Sequence, residues 1–216
     1  MNRLAAAPPP AAPRTAAVAG LAFSLLMLIS LVIMRLAVPD VATERVPVEH
    51  GVGRAVSLAL HLIPFAGVAF LWLLGVLRDR IGALEDRFFG TVLLGSGLLF
   101  VASLFASAAV AGALVSSSSA RSAVRISSEV YFFAREVSYA FMNIFAIKMA
   151  GVFMASACVI ARRTAIFPRW IASIGYACSL TLLLVIWGWL WIVMLFPLWT
   201  LMVSIYFLAA KKLDAG

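Results

Sequence analysis

Long apolar runs separated by short polar clusters set the rhythm of this chain. Residues 15–36, 55–77, 88–115 and 136–161 each reach the ~20 residues that a 30 Å hydrocarbon layer demands, so each predicts a transmembrane helix. From Trp170 to Ala210 no charged residue occurs. That stretch is about twice what one crossing needs, so it predicts a hairpin of two spans, 168–187 and 190–210. Pro168 is suited to open the first span. Gly188 among Trp187, Trp189 and Trp191 marks its turn, because tryptophans gather at the membrane–water boundary. The ~10-residue alternating segments of a β-barrel are absent. The prediction is an all-α, polytopic transmembrane bundle of six helices.

Residues 1–14 are rich in alanine and proline and predict a disordered cytoplasmic tail ahead of one transmembrane domain, 15–212. The first apolar run is too long for a signal peptide and lacks a small-x-small cleavage site, so it is read as a helix that stays. Pro64 in the second helix and Pro197 in the sixth predict kinks. Pro64 frees the carbonyl of Leu60, beside His61. Ser103 and Ser107 in the third helix form a small-xxx-small pair suited to close helix packing. Arg121, Arg125 and Glu129, at i, i+4 and i+8, predict a short interfacial helix before the fourth span. Tyr131, Phe132 and Phe133 would then lie at headgroup level.

Composition agrees with a membrane and narrows the partners. Hydrophobic residues make up 64% of the chain and charged ones 12%, about half the ~25% of soluble domains. The 17 Lys and Arg outnumber the 9 Asp and Glu, but they flank apolar runs. This points to topology and anionic lipid rather than nucleic acid. With six helices and both termini cytoplasmic, ten basic residues fall inside and six outside, which favours that orientation. Arg162, Arg163 and Arg169 make the most basic loop and are candidates for lipid headgroups. Cys158 and Cys178 form no CxxC and read as small hydrophobes within spans.

One charge stands where a bilayer should be driest. Lys148 is 12 residues from Glu136 and 14 from Arg162, roughly 18 and 21 Å along a helix. A lysine stem cannot span that depth, so Lys148 must find partners inside. Gly151 and Ala155 beside it suggest that it faces another helix. The partners available are His61, hydroxyls such as Ser57, Ser96, Ser103, Ser179, Thr181 and Ser204, or carbonyls freed by Pro64 and Pro197. Lys148 is thus either a hydrogen-bonding residue between helices, or part of a hydrated anion or proton site, or nearer an interface than this register implies. A second polar stripe, Glu136, Tyr139 and Asn143, lies on one face of the same helix, as a vestibule lining or an interfacial cap.

Enzyme chemistry finds little footing. Ser96 and His61 differ in predicted depth by roughly 9 Å, too far for a dyad. No HExxH, CxxC, phosphate loop or dinucleotide fingerprint occurs, so neither a cofactor nor a metal is expected.

The stretches RRTAIFPRWIASIGYACSLTLLL, FPLWTLMVSIYFL and LRDRIGALEDRFFGTVLLGSGLLF resemble a family of bacterial six-helix integral membrane proteins of unknown function. The resemblance covers about residues 15–210. It implies a fold in the bacterial inner membrane and no activity. Two functional expectations follow from the residues. One is a small transporter-like or solute- or lipid-binding bundle with a midplane site near Lys148, His61 contributing. The other is a structural or accessory subunit, homo- or hetero-oligomeric through its small-residue helix faces.

Overall fold

In lipid every backbone N–H and C=O must be satisfied within its own segment, and the helix does this without neighbours. The computed structural model describes residues 12–37, 50–82, 87–118, 127–164, 168–185 and 191–213, all helix apart from short ends and one turn. The helices are α1 Ala12–Ala37, α2 His50–Gly82, α3 Arg87–Ser118, α4 Ser128–Thr164, α5 Arg169–Leu184 and α6 Leu195–Leu213. No strand occurs among the described residues. Helix α1 packs between α2 and α6, α3 between α2 and α4, and α5 against the second half of α4. Five helices are long and apolar enough to cross a bilayer, the mark by composition of a multi-pass membrane protein. The exception is α5, whose 16 residues extend about 24 Å, short of a 30 Å hydrocarbon layer.

Several boundaries differ from the sequence reading. Helix α4 starts at Ser128 rather than 136, so Glu129 and the aromatic cluster belong to its first turns and not to a separate interfacial helix. Ser127 makes this start possible: its Oγ accepts the Val130 N–H at 3.4 Å, a long N-cap. The rest of the proposed interfacial helix, 119–126, lies outside the described residues, as do residues 1–11 of the predicted tail; Ala12–Arg14 are already helical. Pro64 is inside α2, as expected. Pro197 instead falls in the first turn of α6, after a 3₁₀ turn at Ile192–Met194. The first N–H groups of a helix have no intrahelical partner, so proline there costs nothing and forces no interior kink. Helix α5 ends at Leu184 instead of 187, and the turn proposed at Gly188 lies outside the described residues.

The bundle closes on a cluster of five phenylalanines, one from each of α1, α2, α3, α4 and α6. Phe23, Phe70, Phe100, Phe153 and Phe196 are all at most 3% exposed. Phe70 lies with ring centroids 4.9 Å from Phe23, 5.2 Å from Phe100, 5.1 Å from Phe153 and 5.7 Å from Phe196. Most pairs are tilted or edge-on, the arrangements that ring quadrupoles prefer, worth roughly 0.5–1.5 kcal/mol each beyond burial. Lipid tails are as apolar as phenylalanine, so the cluster is held by dispersion and shape rather than by escape from water.

Candidate functional site

Lys148 lies two residues beyond a break in the regular ladder of α4. Phe141–Ala146 form a π-turn, with α-helix resuming at Ile147. A π-turn accommodates an extra residue, and at 100° per residue it rotates everything beyond it relative to a uniform helix. The angular offset between Lys148 and the Glu136 stripe therefore differs from the one the sequence spacing implies. Beyond the turn, Lys148 is half-buried and points at the end of α5.

There its ammonium group meets three main-chain acceptors. Nζ donates to the carbonyls of Leu182 at 3.0 Å, Leu183 at 2.7 Å and Val185 at 2.6 Å. An ammonium has three N–H donors and no acceptor, so these contacts use its full capacity. The acceptors are the carbonyls a helix leaves without partners at its C-terminus, where the backbone dipoles sum to a partial negative charge. Val185 leaves the helix with φ −67° and ψ 118° after its N–H bonds to Thr181. Lys148 is thus the C-terminal cap of α5, supplied by a neighbouring helix. Its partners are neither the carbonyls freed at Pro64 and Pro197 nor a side-chain hydroxyl.

The surrounding contact is close because the residues are small. A Cβ at Gly151 would lie 3.0 Å from Leu183 Cγ and 3.3 Å from Leu182 Cβ, so glycine lets α5 approach. Buried Ser179 donates its Oγ to the Gly151 carbonyl at 2.7 Å. Lower down, Gly175 faces Cys158 and the Trp199 ring, and Trp199 Nε1 donates weakly to Ile171 O at 3.5 Å.

The other sequence candidates do not join this site. His61 is exposed on α2, where Nδ1 donates to Ser57 O in its own helix at 2.6 Å. Asn143 sits in the π-turn and donates Nδ2 to Tyr139 O at 3.2 Å. Glu136 pairs with the adjacent Arg135 at 3.5 Å, both side chains more than half exposed, and Tyr139 is 42% exposed. These three residues stay on the outside of α4, and none lines a path to Lys148. Ser96 donates to Val92 O and Leu93 O within α3. Among the described residues no three His, Cys, Asp or Glu gather in a way that could hold a metal.

Sequence reasoning missed the features that close the bundle. The five phenylalanines carry no motif, and their common level emerges only once helices are aligned. Between them and the end of α5 lies an apolar recess lined by Met27, Ala146, Ala150, Leu182, Phe196 and Pro197, with room for about one water molecule. Ser107 and Ser138 exchange hydrogen bonds between α3 and α4: Ser107 Oγ to Ser138 O at 2.9 Å and Ser138 Oγ to Ser107 O at 3.0 Å. Of the basic loop, Arg162 lies with Cζ 6.0 Å from the Tyr176 ring centroid on α5, and Arg163 with Cζ 4.9 Å from that of Phe89 on α3.

No protein-family model matches the chain, and no curated protein or solved structure matches it significantly. The reading of function therefore rests on this geometry alone.

Proposed function

We propose that the protein is a structural or accessory subunit of the bacterial inner membrane, a dry helical scaffold that partner helices pack against. In this reading the chain crosses six times with both ends cytoplasmic, α5 and the residues after it completing the fifth crossing. The observation that carries it is the use of Lys148. A transport site needs its charged group free to meet a ligand or water. Here all three ammonium donors are spent on the end of α5, and the axis beside it is filled by phenylalanine. The first half of α4 supports the partner role, because Ser128–Ala140 has no buried residue and exposes Tyr131, Phe132 and Phe133.

The test is water access along the axis. Ala150 is buried, lines the recess and lies about half a turn from Lys148. In a chain with Cys158 and Cys178 replaced by alanine, Ala150→Cys is expected to resist water-soluble thiol reagents from both sides. Ser127→Cys, at an exposed helix start, is the positive control. Labelling of Ala150→Cys in the folded protein would contradict the scaffold reading and restore a hydrated site near Lys148.

A further inference from the structure

Arg169, Tyr176, Leu180 and Leu184 stand at i, i+7, i+11 and i+15, which keeps them within about 80° of one face of α5. The lane runs from an exposed arginine at the helix start to two leucines that are 57% and 65% exposed. A second arginine enters from α4, since Arg162 holds its guanidinium over the Tyr176 ring. Helical side chains lean towards their N-terminus, so the Tyr176 hydroxyl leans back towards Arg169. Among the described residues neither Arg162 nor Arg169 meets a carboxylate. Arg163 is turned the other way, onto Phe89 of α3, and plays no part.

We infer that this α4–α5 face holds one anionic phospholipid, its phosphate between Arg162 and Arg169 beside the Tyr176 hydroxyl and an acyl chain along Leu180 and Leu184. Guanidinium forks match phosphate oxygens geometrically, and each basic residue near an anionic surface strengthens binding severalfold. The lane decides between lipid and free phosphate. It extends about 22 Å from Arg169 to Leu184, enough for a headgroup and one ~15 Å leaflet of hydrocarbon. Free phosphate would have no use for the leucines. The assignment is independent of the scaffold reading.

The experiment is a melting titration of the whole protein in neutral detergent with phosphatidylglycerol, phosphatidylcholine or inorganic phosphate. Phosphatidylglycerol is expected to raise the melting temperature saturably, and the other two to leave it nearly unchanged. In Arg162→Gln/Arg169→Gln the half-saturating concentration should rise at least tenfold, and in Tyr176→Phe by a few-fold. Arg54→Gln, exposed near the other end of the bundle on α2, should respond like wild type. An equal response to phosphatidylcholine, saturation by phosphate alone, or an unchanged titration in the double variant would each overturn the assignment.

Discussion

The two halves of α4 belong to one continuous helix and end in different surroundings. Ile147–Thr164 buries nine residues, among them Gly151, Phe153, Ser156 and Cys158, while Ser128–Ala140 buries none. Hydrophobicity does not explain this, because Val130, Phe132 and Phe133 are as apolar as anything in the second half and remain exposed. In a bilayer apolar surface has no drive to leave its solvent, so burial follows shape and hydrogen bonding. The second half has glycine where α5 must approach, a phenylalanine that fits the central cluster and a lysine that ties down a helix end. The first half has one serine clasp to α3. The π-turn separates the two, letting each half face its own neighbours.

This comparison can be broken at graded positions. Phe153→Ala should have the largest effect, as it removes a ring from the cluster and leaves a cavity. Core Phe→Ala changes cost about 3–5 kcal/mol in soluble proteins, and the lower end applies where lipid replaces water as the reference. Reversible unfolding in mixed micelles would measure it, and a loss below about 1 kcal/mol would mean that the cluster is loosely packed. Gly151→Val drives branched carbon into Leu182 and Leu183, with an overpacking cost of about 1–3 kcal/mol. The same unfolding assay would show it, and a neutral result would mean that α5 yields easily.

Smaller effects belong to the first half. Ser138→Ala removes one partner of the clasp with Ser107, and interhelical hydrogen bonds in membranes average about 0.6 kcal/mol. Coupling between Ser107→Ala and Ser138→Ala in a double-mutant cycle would isolate the pair. Phe132→Ala should shift stability by no more than about 0.5 kcal/mol, since its ring is 58% exposed. A loss as large as that of Phe153→Ala would erase the distinction between the halves.

Much of the scaffold was legible in the chain because bilayer thickness imposes run lengths that a reader can count. Lys148 also stood out, since a cation between apolar residues must find its partners inside the bundle. Its partners did not, because they are main-chain carbonyls 34 to 37 residues away that become available only where α5 stops. No residue type signals that stop; Val185 and the residues before it are ordinary apolar positions. The π-turn has no sequence signature either, and it alters the helical phase between the Glu136, Tyr139 and Asn143 stripe and Lys148. The start of α4 is misread for a related reason. Glu129 groups with the charges before it as part of a surface element, whereas the Ser127 cap opens α4 at Ser128, so Glu129 and the aromatic residues after it belong to that helix.

The central claim is that Lys148 holds the end of α5, and the direct measurement is the unfolding free energy of Lys148→Met beside wild type in the same detergent. Methionine keeps much of the volume and removes every donor. Three carbonyls would lose their partner in an apolar setting, and because they are uncharged and the contact is only half-buried, the cost is that of unsatisfied acceptors, about 1–3 kcal/mol. The account predicts a loss of that order, seen as a fall of several degrees in melting temperature. A variant as stable as wild type, or more stable, would show that the lysine is retained against stability and serves a ligand instead of the fold.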